Sequence, residues 1–131
     1  MKRKLLYLFL LLSVWFFAWG VLKAKAESPD LSYDQRLENW VQQVRWEESR
    51  GHDMLVILDT NNKYSYGCLQ FQMATWNNYS KKYGITEEIM NCDAQIKLTK
   101  LIVQNEKKGY DNWWTTVHKK GVGLPPEHTD V

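Results

Sequence analysis

Residues 1–26 include five lysines or arginines, no aspartate or glutamate, and an almost unbroken apolar run from Leu5 to Leu22. A segment with no polar face cannot cover a small soluble core, so it must be either removed or placed in a bilayer. Met1-Lys2-Arg3-Lys4 before it and Ala24-Lys25-Ala26 after it match the basic start and small-x-small cleavage site of an export signal. Cleavage would leave a chain beginning at Glu27. The run also approaches the roughly 20 residues that span a membrane, so an uncleaved anchor is the alternative. Either way residues 27–131 are expected outside the cytoplasm, as a periplasmic, extracellular or envelope domain, because the basic flank stays inside.

Removing this segment reverses the charge. The whole chain carries +2, whereas residues 27–131 hold 12 basic and 15 acidic side chains, a net −3. That balance excludes a nucleic-acid partner of the usual basic kind. The length excludes a doubly wound dinucleotide fold and leaves room for one small core, expected as a monomer.

Export also bears on Cys68 and Cys92. In an oxidising compartment two cysteines usually pair, and the alternative is two reduced, buried side chains. With His52, His118 and His128 they lack the close paired spacing of a zinc site, so no metal is expected. Asp59-x-Asn61-x-Lys63 begins like a calcium loop, but a cation stands at the third position and the central glycine is missing.

Short helices around one hairpin are the expected architecture, an α+β, mostly α class. Ser32 and Gln35 form a capping-box pattern, and Leu37, Trp40, Val41 and Val44 recur at helical spacing, which predicts a helix over 33–49 ending before Gly51. Met54 to Leu58, the turn residues 59–63 and Tyr64-Ser65-Tyr66 predict a hairpin. Helices follow over 73–83, closed by Gly84, and over 91–107, closed by Gly109, with a short helical start at 86–88 between them. Asp111 is expected to cap a last helix reaching Gly121, with His118, Lys119 and Lys120 at its solvated end and Leu124 to Glu127 as a frayed tail.

The chemistry is expected at the end of the first helix. At 100° per residue Glu48 lies roughly 30° from the centre of the apolar stripe and Glu47 roughly 70° from it. A carboxyl on that face loses hydration and meets the negative end of the helix dipole, and both effects favour its protonated form. Such an acid can protonate a sugar oxygen, which is a poor leaving group until it is protonated. The alternative is a rim glutamate paired with Arg45 or Arg50.

Glu48-Ser49-Arg50-Gly51, the hairpin, then Tyr66-Gly67-Cys68-Leu69-Gln70-Phe71 and Thr75-Trp76 resemble the lytic transglycosylase and goose-type lysozyme superfamily. There a Glu-Ser pair ends a helix and a Gly-x-x-Gln element follows across a small β region. The resemblance spans about Trp40 to Trp114 and implies a lysozyme-like fold with a small β-hairpin. It also implies cleavage of the β-1,4 bond between N-acetylmuramic acid and N-acetylglucosamine in peptidoglycan, without a cofactor. On this reading Glu48 is the acid, Ser49 contacts substrate or holds the glutamate, and Gly67 gives a close approach at the cleft wall. Gln70 either bonds sugar or pins the hairpin. The Tyr-Asn pair that many members carry in a later helix is absent, and Tyr110-Asp111-Asn112 is a loose echo of it. No second carboxylate is evident. Asp59 is the best candidate, although Asp-Thr-Asn-Asn is also ordinary turn chemistry.

A single glutamate suits a lytic reaction giving 1,6-anhydro products, while a hydrolytic lysozyme or a non-catalytic wall-binding module of the same fold are the alternatives. Five tryptophans and six tyrosines beyond Ala26 suit either sugar stacking or a small core. Tyr64, Tyr66 and Trp76 are the cleft candidates and Trp40 a core residue. Trp46 falls on the opposite helix face, and Trp113 and Trp114 cannot both point inward.

Overall fold

A computed structural model describes residues 30–128. Residues 1–26, expected as a signal or anchor, lie outside the described residues. Among the described residues no helix is long and apolar enough to cross a membrane.

The chain is α+β and mostly α. Helix α1 (Tyr33–Ser49) is followed by strands β1 (Val56–Leu58), β2 (Tyr64–Tyr66) and β3 (Phe71–Gln72), helices α2 (Met73–Tyr83) and α3 (Cys92–Asn105), a 3-10 helix over Gly109–Trp113, and α4 (Trp114–His118). The capping box at the start of α1 is complete. Gln35 N donates to Ser32 Oγ at 3.3 Å, and Ser32 N donates to Gln35 Oε1 at 3.0 Å. The helix stops where Arg50 enters the left-handed region at φ 51°, with Gly51 following at φ 82°. Its apolar stripe is buried as the periodicity requires, with Val41 and Val44 fully inaccessible.

Helix α3 is the central element, packed against α1, α2 and the 3-10 helix. Ala94, Leu98 and Ile102 bury its apolar face, and Asn91 caps it by accepting from Ala94 N at 3.0 Å. A Lys100–Glu38 ion pair ties α3 to α1. The sheet is antiparallel in the order β1-β2-β3, with Val56 opposite Tyr66 and Ser65 opposite Gln72. The hairpin therefore forms as expected, and the short third strand, Phe71–Gln72, extends it directly into α2.

Two expected elements differ. Residues 86–88 form no helix, because one turn there ends when Asn91 N donates to Glu88 O and Asn91 starts α3 instead. The last helix does not start at an Asp111 cap. Asp111 lies inside the 3-10 helix, and α4 spans only Trp114–His118 before the chain turns back through Gly121 at φ 84° and Gly123 at φ 80°. Contacts on either side of Leu124 to Glu127, the stretch expected to fray, tie the chain to the body. Trp40 Nε1 donates to Gly123 O at 2.9 Å, and the His128 ring meets the Tyr33 ring edge-on at 4.5 Å.

Cys68 and Cys92 are joined in a disulfide with Cα atoms 5.6 Å apart. It fastens the segment after β2 to the first turn of α3. Closing a loop between positions separated by 24 in the sequence is worth about 3 kcal/mol in the chain-entropy model. Replacing both cysteines by serine is expected to lower unfolding stability by about that amount. Urea unfolding of the double variant beside the oxidised and reduced wild type measures it, and reductant should leave the variant's midpoint unchanged.

Candidate active site

The end of α1 opens onto a cleft of about 520 Å³ lined mainly by polar groups. Helix α1 contributes Glu48, the sheet region contributes Asp59, Ser65, Gln70 and Gln72, and the 3-10 helix with α4 contributes residues 111–116. Ile57, Phe71, Thr75 and Lys120 complete the lining. Three stretches far apart in sequence therefore meet around Glu48.

Glu48 is partly buried, and Thr116 Oγ1 donates to its Oε1. Loss of water raises the Glu48 carboxyl above its ordinary range. The Thr116 hydrogen bond and the Lys120 charge act in the opposite direction, while the negative charges of Asp59 and Glu47 reinforce the rise. The net result is an acid held toward its protonated form in a cleft open to solvent, with a donor ready for the carboxylate once the proton has gone.

Asp59 belongs to the turn and to the cleft at once. Its backbone closes the turn, with Asp59 N donating to Lys63 O at 2.9 Å and Asn62 N donating to Asp59 O at 2.9 Å. Its carboxylate accepts from Ser65 Oγ and from Gln72 Nε2, the latter at 3.0 Å. Both donors come from paired strands, so the sheet fixes the side chain toward the cleft.

Gln70 lines the cleft with its backbone in the left-handed region at φ 53°. Its Nε2 donates to Gly67 O at 2.7 Å and Leu55 O at 3.2 Å, so the carboxamide pins the wall around the hairpin. The other expected residues are placed elsewhere. Ser49 is buried and donates to Arg45 O at 3.1 Å, because the chain doubles back at Arg50-Gly51 and His52 N bonds Ser49 O. Trp76 stands in the core, edge-on to Phe71 at 5.5 Å. Tyr64 and Tyr66 stay on the hairpin with ring centroids 6.4 Å apart, outside the cleft lining. The close approach at Gly67 is to the α3 side chain of Gln95, where a Cβ would stand 2.3 Å from Nε2.

Several cleft residues escaped sequence reasoning. Trp113 and Trp114 divide as their adjacency demands. Trp113 is buried, donating from Nε1 to Leu69 O at 2.9 Å, whereas Trp114 is 49% exposed at the cleft. Thr116 shares the buried side of α4 with Val117, and a hydroxyl on an apolar stripe was the available signal. Lys120 is exposed, as expected of a solvated helix end, and it also donates to Glu47 O at the C-terminal turn of α1 at 2.8 Å. That carbonyl sits at the negative end of the helix dipole, which favours an ammonium group. Asp111 and Asn112 also line the cleft, and Tyr110 does not.

Thr116 stabilises the ionised form of Glu48, so Thr116→Val is expected to move the Glu48 titration to higher pH and Thr116→Ser to restore it. Carbon NMR of the labelled glutamate carboxyl measures this without any substrate. An unmoved midpoint in the valine variant would refute the assignment.

No family model, curated protein or solved structure matches the chain.

Proposed function

We propose that this domain cleaves the β-1,4 bond between N-acetylmuramic acid and N-acetylglucosamine in peptidoglycan, with Glu48 as the proton donor. The observation that carries this reading is the placement of the partly buried Glu48 carboxyl, hydrogen-bonded to Thr116, in a polar cleft beside an exposed tryptophan. A neutral pyranose offers an apolar face to an aromatic ring and hydroxyl and acetamido groups to polar side chains. Both kinds of partner line this cleft. The resemblance of Glu48-Ser49 and Gly67-x-x-Gln70 to lytic transglycosylases supports the same substrate.

In the lytic reaction Glu48 gives its proton to the bridging oxygen as the bond from that oxygen to the anomeric carbon breaks. The substrate's own acetamido group stabilises the anomeric centre. The Glu48 carboxylate, now accepting from Thr116, then takes the proton of the muramic 6-hydroxyl, whose oxygen closes onto the anomeric carbon. Glu48 is restored and no water is consumed.

Asp59 favours a second reading. Its carboxylate lines the same cleft and its charge reinforces the protonation of Glu48. A carboxylate so placed suits a hydrolytic lysozyme, where it would stabilise the oxocarbenium ion or activate water. Mass spectrometry of fragments released from purified peptidoglycan separates the two. 1,6-Anhydro ends are expected for the lytic reaction and reducing ends for hydrolysis. Peptidoglycan clearing that survives Glu48→Gln would sink both, and binding without clearing by the wild type would identify a wall-binding module.

A further inference from the structure

A second groove of about 380 Å³ is lined by the outward face of α1 and by residues 120–122. Its main aromatic surface is Trp46, which is 56% exposed although Trp40, less than two turns earlier on the same helix, is only 5% exposed. Trp46 adds nothing to the core. Its ring is nevertheless held in place: the Arg50 guanidinium lies 5.7 Å from the indole centroid and is itself fixed by two bonds to the Glu47 carboxylate, at 3.0 and 3.2 Å. Gln42 and Gln43 border the indole, and the Gln43 side chain makes no hydrogen bond among the described residues. Glu47 and Lys120 bring opposite charges to the rim, which suits a neutral ligand better than an anion. Lys120 lines both this groove and the Glu48 cleft, so the two share one lining residue.

We propose that the Trp46 groove is an accessory subsite for a β-1,4-linked N-acetylhexosamine strand, which leaves the Glu48 cleft, crosses Lys120 and stacks a pyranose face on the indole. An oriented aromatic face bordered by carboxamides matches the two-sided chemistry of such a sugar. This inference rests on reading the Glu48 cleft as a glycan-cleaving site and gives that site a preference for long strands. A subsite remote from the reacting bond strengthens binding of ground state and transition state alike, so it acts on KM and leaves kcat unchanged.

The test uses the full chain. Trp46→Ala removes a half-exposed ring that lies outside the core and is expected to raise KM for long peptidoglycan strands by roughly tenfold, the loss of one well-placed aromatic contact, with kcat retained. Fragments confined to the cleft should be cut as well by the variant as by the wild type. In parallel, a hexamer of β-1,4-linked N-acetylglucosamine is titrated into Glu48→Gln while the tryptophan indole N–H signals are followed by NMR. The Trp46 signal is expected to shift together with that of Trp114. A hexamer that shifts Trp114 and leaves Trp46 unmoved overturns the proposal, as does equal damage by Trp46→Ala on short and long substrates. If the wild type cuts nothing while the hexamer still shifts Trp46, the cleavage reading fails and the subsite stands.

Discussion

Glu48→Gln should lower peptidoglycan turnover by about 10²–10⁴-fold, the usual worth of a general acid, while raising the melting temperature at neutral pH. The two effects share one cause. Burial holds the Glu48 carboxyl above its ordinary value of 4.5, so between that value and the raised one the folded chain binds a proton that the unfolded chain has released. Stability therefore falls as pH rises through that window, and an ionised Glu48 is a cost to the fold above it. Glutamine keeps an oxygen to accept the Thr116 hydroxyl and never ionises, so it removes the cost. The gain should be present at neutral pH and vanish below the ordinary value, where Glu48 is protonated folded and unfolded alike. Thermal unfolding of both proteins on either side of the window checks it. Wild-type turnover should decline as pH rises through the raised Glu48 value, since only the protonated acid can donate. A variant less stable than wild type at neutral pH would show that Glu48 is held by favourable pairing rather than by burial.

Gln95→Leu is expected to be the most damaging single substitution for the fold, costing about 3 kcal/mol or more. The Gln95 side chain is fully buried in α3 and serves three backbone groups. Its Nε2 donates to Ile89 O at 2.6 Å and Tyr66 O at 2.8 Å, and its Oε1 accepts from Leu69 N at 2.7 Å. Leucine has nearly the same volume but leaves the buried Leu69 N–H with no partner, which alone costs about 1–3 kcal/mol. Residues 66–69 join β2 to Gln70, so the wall carrying Gln70 and the Asp59 clasp loses its support as well. Urea denaturation measures the stability, and amide exchange at Leu69 reports the local opening. A loss under about 1 kcal/mol would mean that the disulfide beside it holds the wall unaided.

Gln95 also marks a limit of what was legible. A glutamine among Ala94, Leu98 and Ile102 reads as a polar residue on a helix, and its value lies wholly in the backbone groups of Tyr66, Leu69 and Ile89, outside that helix. Gly67 meets the same limit: a glycine there is legible as a close-approach position, but its partner is the Gln95 side chain rather than the cleft wall. Trp76 and Trp114 mark another limit. The motif beside Trp76 pointed it at the cleft, whereas packing against Phe71 takes it into the core and leaves Trp114 exposed at the cleft. Aromatic side chains suit both environments, so residue type could not decide between them.

The bounds of α1 and α2, the hairpin and the inward phase of Glu48 all followed from the sequence by itself. Capping hydrogen bonds, turn residues and the 100° helical repeat act within a few residues, so their outcome is written locally. Trp46 pointing outward came from the same arithmetic. Ser49 already departs from it, because a chain reversal just beyond the helix buries a position that the repeat turns toward solvent. The meeting of Glu48 with Thr116, of Asp59 with Gln72 and of Lys120 with the end of α1 was decided only by the tertiary structure. Glu48 and Thr116 stand 68 positions apart, and no local rule sets the path of the sheet and two helices between them. That path depends on how α3 packs against α1 and on where the disulfide ties the wall, which are properties of the whole core.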